Sequence, residues 1–281
     1  MVDEKKLQCA VQSVMPQNKE AQLPEGVKPE PPKIEFDLLQ LYFREPYIVK
    51  PEIGNNFAIL QPSVGDIIAT GERKFYQTLQ VFITNTTANR LVLWMAKPRI
   101  DWNEISDYEL FLRSAGMINA DIAKLLFDGI DFNKMQILVD KDNKPVALVN
   151  QEQNILINED VYNIISQYLR TMFNVSPKVE KTLSKFAKES IIEEEMINEY
   201  YNKKKESRSS VLLPLISSCV NHPGFKYKSN ELKEIGIFEF MDSVQRLQIY
   251  ESSTALMKGM YSGFVDSKKI NAESYNFMRA V

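Results

Sequence analysis

The chain has 281 residues, of which 44% are hydrophobic, 10% aromatic and 25% charged, ordinary proportions that exclude whole-chain disorder, collagen and a coiled-coil rod. Basic residues number 34 and acidic ones 37, a net charge of -3, too balanced for long-range attraction to nucleic acid phosphates to be the main business. One core, or two closely packed ones, can be buried at this length.

In chain order, residues 1–33 hold Pro16, Pro24, Pro29, Pro31 and Pro32 among many Lys, Glu and Gln and no aromatic residue. Such a segment cannot bury enough apolar surface to offset its ordering entropy and reads as an extended or disordered arm. A helical N-terminal part is expected over 34–131. It opens with a short hairpin near 47–60, where Tyr47-Ile48-Val49 and Phe57-Ala58-Ile59-Leu60 flank Gly54-Asn55-Asn56, residues that tolerate positive φ. From Pro62 onward Val64, Ile67, Ile68, Gly71, Phe75, Leu79 and Phe82 recur at three and four, an apolar helical stripe. Ser63 is placed to cap it with Asp66 three residues on. Gly71 within the run predicts a break or a close backbone approach. Further helices are predicted over 87–95, 103–114 and 119–127.

Residues 132–157 read as a β-meander: two aliphatic runs around an Asp/Asn turn, then Ile155-Leu156-Ile157, the only sheet the pattern supports convincingly. A helical C-terminal part follows over 158–281. Asn158 caps a helix to Phe173, and Ser176-Pro177 predicts the start of a helix running to about Lys205. Its Glu193, Glu194 and Glu195 read as a solvated face. Helices over 210–220, over 237–261 ending at Gly263, and one capped by Asn271 complete the chain. The predicted fold class is α+β and mainly α-helical, with a small β-element between two helical halves.

Chemistry is sparse. Cys9 and Cys219 cannot form a disulfide framework, which makes a reducing compartment the default. The start of the chain does not read as a signal peptide, and the apolar stretch over 211–220 is broken by Pro214 and two serines, so no membrane span is expected. His222, three residues after Cys219, precedes Pro223-Gly224 and reads as a turn residue rather than the base of a thiol nucleophile. Cys and His together number three, too few for a structural zinc site. Asp140-Lys-Asp-Asn143 fails as a calcium loop because Pro145 and Gln151 stand at the positions of the turn glycine and bidentate glutamate. Asp101, Glu104, Asp107 and Glu109 read as helix-start acids rather than an acid/base pair. No glycine pattern fits a phosphate cradle. Trp94, Trp102, Phe111, Phe127 and Phe132 read as core rather than a stacking platform for single strands. No catalytic residue, cofactor, metal, nucleic acid or membrane is expected.

Several strings are more specific than their chemistry: Gln61-Pro-Ser-Val-Gly-Asp-Ile-Ile68, Asp101-Trp-Asn-Glu-Ile-Ser-Asp-Tyr-Glu-Leu-Phe111, Leu126-Phe-Asp-Gly-Ile-Asp-Phe132, Ser176-Pro-Lys-Val-Glu-Lys181, His222-Pro-Gly-Phe-Lys-Tyr227, Phe240-Met-Asp-Ser-Val-Gln-Arg-Leu-Gln248 and Gly259-Met-Tyr-Ser-Gly263. With them the chain, from about Leu41 onward, resembles a family of tailed-bacteriophage proteins from the tail morphogenesis module, encoded near the tape measure protein. It departs from the family in its proline-bearing arm and at Trp94-Met-Ala-Lys-Pro-Arg99.

The resemblance implies a non-enzymatic tail assembly chaperone that binds helical segments of the tape measure protein, or a minor tail or baseplate subunit kept in the virion. It implies the host bacterial cytoplasm during assembly and partners among phage tail proteins, with homo-oligomerisation left open. A tape measure protein is a long helical chain whose apolar stripes lack a partner until the tube forms, and a hydrophobic groove can shelter them. The residues expected to form such a surface are Phe225, Tyr227, Phe240, Met241, Met257, Met260 and Tyr261, on and beside the long C-terminal helix. Methionine, of which there are 11, suits an adaptable groove.

Overall fold

The computed structural model describes residues 31–141, 144–179, 184–205, 210–266, 268 and 270–279, with the backbone alone at 202–205. Almost all of the expected N-terminal arm therefore lies outside the described residues. The fold is mainly helical α+β with two small antiparallel three-stranded sheets.

A short helix α1 (Leu38–Tyr42), capped by Asp37, leads into the hairpin of β1 (Tyr47–Val49) and β2 (Phe57–Ile59). Tyr47 pairs with Ile59, as the turn residues predict. The sheet has a third strand, β3 (Phe127–Asp128), antiparallel to β2, where a helix end had been expected. Phe127 is buried and meets Phe57, Phe82 and Phe132 edge-on or tilted, so tertiary packing overrides local helical spacing here. The meander is therefore one of two sheets.

The apolar run from Val64 splits into α2 (Val64–Thr70) and α3 (Glu72–Ile83) at Gly71, whose φ of 88° is left-handed. Ser63 and Asp66 form the expected reciprocal cap. The next two helices are shorter than their patterns: α4 spans Arg90–Met95, and α5 spans Asp107–Ser114 with Ser106 as cap. Residues 102–104 are turn. α6 (Ala120–Leu126) is capped by Asn119.

β4 (Gln136–Val139), β5 (Pro145–Asn150) and β6 (Ile155–Ile157) form the predicted meander. Period-two alternation sends Leu148, Ile155 and Ile157 into the main core and Ala147, Val149 and Leu156 into a small cluster on the other face. Gly54 joins the sheets. A Cβ there would lie 2.8 Å from the Asn154 carbonyl, and the neighbouring Asn55 N–H donates to that same carbonyl at 2.8 Å.

α7 (Glu159–Met172) is the central helix of the core, burying Val161, Ile165, Leu169 and Met172 among others. Asn158 Oδ1 accepts from Val161 N at 3.0 Å. Asn158→Ala is expected to cost about 1 kcal/mol, a fall of roughly 2–4 °C in Tm by thermal denaturation.

α8 (Lys185–Lys205) does not begin at Ser176-Pro177: residues 175–179 carry no helix, and Asn85 Nδ2 and the Lys178 carbonyl tie this extended stretch to the α3–α4 turn at 2.7 Å. Its acidic run is not wholly solvated either. Glu195 pairs with the buried Arg90 and, at 3.1 Å, with Lys178. Around it Leu93, Trp102, Ile105, Leu110 and Ile192 form a second, separate core.

α9 (Leu212–Val220) takes its cap from a distant residue: the Glu72 carboxylate accepts from Val211 N at 2.6 Å, Leu212 N at 2.9 Å and the Ser210 hydroxyl at 2.5 Å. α10 (Ile237–Tyr261) closes the main core through Ile237 and Phe240. Gly263, with φ of 74°, reverses the chain, and a single turn at Ala272–Tyr275, capped by Asn271 as expected, returns against α10. One apolar cluster runs from Leu41 to Phe240 and joins the two helical parts.

Candidate partner-binding groove

Aliphatic and aromatic residues that reach the surface without cover mark the places where another chain could gain from contact. A groove of about 1750 Å³ lies over α7. Its floor is the outward side of that helix, with Tyr162, Asn163, Ser166, Gln167, Arg170 and Thr171. One wall is apolar and comes from α1 and the first half of α10: Leu38, Leu39, Tyr42, Phe238 and Met241. Leu39 is 70% exposed. Turns around Asn85–Thr87, residues 103–107 and 174–179, largely polar, also line the groove.

Residues 31–36 lie along the rim in extended form. Ile34 and Phe36 are half-buried while Lys33 and Glu35 are exposed, the alternation of a strand. Gln167 holds this segment with both ends of its amide: Oε1 accepts from Ile34 N and Nε2 donates to the Pro32 carbonyl, each at 3.0 Å. Phe36 packs edge-on against Tyr47 and Tyr168, which themselves stack at 4.6 Å.

The charged groups in the groove largely serve the fold. Arg170 donates to the carbonyls of Ile83 and Thr84 at 2.8 and 3.1 Å. Asp107 accepts from Thr86 N at 2.8 Å. Glu159 and Asp160 sit in the first turn of α7, where the dipole favours them. Burial, and then the charge of Asp160, holds the Glu159 carboxyl above its ordinary value. Tyr162 and Ser166 are buried in the floor a turn apart, and neither hydroxyl makes a well-aligned hydrogen bond. Burial pushes the Tyr162 phenol up to about 12, with the Asp107 charge adding to it and Arg170 and Ser166 opposing.

The seven residues expected to share one surface are not brought together. Phe240 is 0% exposed and belongs to the main core cluster rather than to the surface. Met241, the next residue, does line the groove, together with Phe238. Phe225 and Tyr227 meet edge-on in the turn before α10 and pack on the main core. The Tyr227 hydroxyl donates to Glu239 at 2.5 Å, and that bond, with burial, pushes its pKa up to about 12. Met257 and Met260 are half-buried near the far end of α10, and Tyr261 is 87% exposed there. At 1.5 Å per residue they lie about 24–30 Å along the helix from Met241, too far to share its groove.

Cys219 is buried and its thiol is pushed up by that burial, against a nucleophilic role. His222 Nδ1 accepts from Gly224 N at 3.0 Å while Nε2 faces Glu251 at 3.0 Å, fixing the turn as expected. Asp101 pairs with Lys188 at 2.6 Å and Glu109 with Arg113 at 2.6 Å. Asp140 Oδ1 accepts from Lys144 N at 2.8 Å; Asp142 and Asn143 lie outside the described residues. Trp102, Phe111 and Phe127 are buried. Trp94 is half-buried, with the Arg99 guanidinium 3.8 Å above its ring. Among the described residues no three His, Cys, Asp or Glu side chains are grouped so as to hold a metal, and no helix is long and apolar enough to cross a membrane. No protein-family model, curated protein or solved structure matches the chain.

Proposed function

We propose that the protein is a non-enzymatic bacteriophage tail morphogenesis factor, a tail assembly chaperone whose groove over α7 receives helical segments of the tape measure protein. The observation that carries this reading is the groove's lining, which among the described residues combines the exposed Leu38 and Leu39 with polar side chains. That is the arrangement by which an amphipathic helix is recognised through anchors at i, i+3/4 and i+7. The sequence resemblance to the tail module supplies the identity of the partner.

Co-expression with tape measure segments, followed by size-exclusion chromatography, tests the reading. Co-elution is expected, and Leu39→Asp is expected to weaken binding at least tenfold, about 1.4 kcal/mol, with Tm unchanged because Leu39 packs little in the free chain. Absence of co-elution, or equal binding by Leu39→Asp, refutes it.

A second reading, a minor tail or baseplate subunit, is favoured by α8. Among its described side chains only Ile192 is buried, while Phe186, Ile197, Tyr200 and Tyr201 are each more than half exposed, a pattern suited to packing against neighbouring subunits. Mass spectrometry of purified virions separates the two: a subunit appears at fixed copy number, a chaperone at trace level.

A further inference from the structure

The groove is unevenly charged once the bonds its side chains make within the fold are set aside. Of its cations, Arg170 is spent on the carbonyls of Ile83 and Thr84, Lys178 on Glu195, and Arg246 on Asp242 and the Arg279 carbonyl. Lys33 is exposed beside Ile34, which Gln167 holds, about 12 Å along α7 from Glu159 at 1.5 Å per residue. Of its anions, Asp107 accepts from Thr86 N through Oδ1. The carboxylates of Glu104, Glu159 and Asp160 have no hydrogen-bond or ion-pair partner among the described residues. The end of the groove at the start of α7 is therefore negative.

Acids at a helix start serve the dipole and on their own say nothing of a ligand. The second observation lies in the floor beside them. Tyr162 and Ser166 line the groove, each 2% exposed, and neither hydroxyl has a partner. Every group that acts on the Tyr162 phenol, namely Asp107, Arg170, Ser166 and Glu159, also lines the groove, which places that hydroxyl among them. Its ring is fixed from behind, stacked on Phe111 at 4.8 Å. A buried hydroxyl left without a partner forfeits about 1–3 kcal/mol and calls for an explanation in a native fold; a donor arriving from outside gives one. Hydroxyls accept as well as donate, so a donor that carries positive charge satisfies them and the carboxylates around them together. An anion would meet only like charge. A cation would also relieve Glu159, whose carboxyl is held above its ordinary value by burial and by Asp160.

We propose that the acidic end of the groove receives a lysine or arginine of the bound helix, its N–H groups donating to the Tyr162 and Ser166 hydroxyls and facing Asp107, Glu159 and Asp160. This rests on the reading that the groove takes an amphipathic helix, and adds what that helix carries beside its apolar stripe. The test uses two helix-forming peptides of about 15 residues, with leucines at i, i+3, i+4 and i+7 and either lysines or glutamates elsewhere. Their affinity for the full-length chain is read by fluorescence anisotropy. The lysine peptide is expected to bind about fivefold tighter at low salt, with the preference shrinking as salt is added. Glu159→Gln with Asp160→Asn is expected to bring the two peptides within about twofold of each other. Glu193→Gln with Glu194→Gln makes the same change of net charge at exposed positions of α8 and is expected to keep the preference. Tyr162→Phe keeps the ring and is expected to bind the lysine peptide about threefold more weakly with no fall in Tm. Equal affinity of the two peptides overturns the cation site and leaves the groove's use for a helix standing, whereas binding of neither overturns both. A preference that survives Glu159→Gln with Asp160→Asn, or that the α8 control removes equally, lies elsewhere on the surface and overturns the proposal, as does full affinity in Tyr162→Phe. Co-elution with the tape measure protein is measured apart.

Discussion

Gly236→Ala is expected to lower stability by about 2–4 kcal/mol, a fall of roughly 5–10 °C in Tm at 2–4 °C per kcal/mol. The cause is a buried joint rather than backbone strain, since Gly236 has an ordinary extended φ of −67°. An added Cβ would sit 1.9 Å from Gln61 Oε1 and 2.8 Å from Arg44 Cγ. Gln61 cannot step aside cheaply: it is buried, donates to the Leu41 carbonyl at 2.5 Å and accepts from Phe238 N at 3.1 Å. Backbone bonds Val64 N to Ile235 O and Ile237 N to Pro62 O, both 3.0 Å, clamp the two strands of chain around it. Arg44 donates to the carbonyls of Glu234 and Gln61 from the outside. Moving Gln61 therefore strands buried donors and acceptors. The measurement is a double-mutant cycle by thermal or urea denaturation. If the clash is the cause, Gln61→Ala with Gly236→Ala is no less stable than Gln61→Ala alone. A full additive loss in the double variant sinks the explanation.

This joint also bears on what the sequence made legible. Gln61-Pro-Ser-Val-Gly-Asp-Ile-Ile68 stands out as a string, and the structure gives it a physical use: Gln61 bridges α1 to α10, Ser63 and Asp66 cap α2, and a Cβ at Gly65 would lie 2.8 Å from the Lys233 carbonyl. Gly259 and Gly263 behave alike, the first admitting Val265 and the second turning the chain back. Caps, turns and apolar periods are local, and each could be read one residue at a time. β3 could not, because two residues become a strand only when a partner strand arrives from 68 positions away, as Phe127 does opposite Ile59. Nor could the start of α8, since Ser176-Pro177 fits a helix N-terminus until Asn85 holds the next residue's carbonyl in an extended path.

The groove was half legible for the same reason. Apolar spacing along 237–261 cannot tell which sector of the helix meets α1 across the chain. So Phe240, named for the partner surface, is inside, and the wall residues Leu38, Leu39 and Phe238 carry no mark in the sequence. A short helix before a hairpin carries no surface signal of its own. Only its seating beside α10, 200 residues later in the chain, turns two exposed leucines into a wall.

The attachment of α8 is the second place where one residue should have a large effect. Arg90 is nearly enclosed, with 6% of its side chain exposed, and faces the Glu195 carboxylate, which is 26% exposed and also meets Lys178. Burial pushes the Glu195 carboxyl up, but hydrogen bonds and charge from Arg90 and Lys178 outweigh it and leave the pKa below its ordinary 4.5. A depressed carboxylate contributes stability that is present above its unfolded pKa and lost as pH falls through the folded one. Docking of α8 should thus be intact at neutral pH and weaken below about pH 4.5.

Glu195→Gln removes the charge while keeping the shape, and should loosen the helix at neutral pH by about 1–3 kcal/mol. That is less than a fully enclosed pair would lose, because a quarter of the carboxylate already meets water. The readout is built in: Trp94 and Trp102 are the two tryptophans of the chain, and Trp102 is buried in the cluster that Ile192 of α8 completes, with the Lys188 ammonium 5.4 Å from its ring. Undocking should shift tryptophan emission to the red. The Asp101–Lys188 pair, at 2.6 Å, ties the same helix to residue 101, so wild type and Glu195→Gln are compared across pH. Wild type should move from the docked emission at pH 7 towards the red below pH 4.5, while Glu195→Gln starts red-shifted and changes less. Emission identical to wild type at pH 7 would mean that apolar contact through Ile192 alone holds the helix.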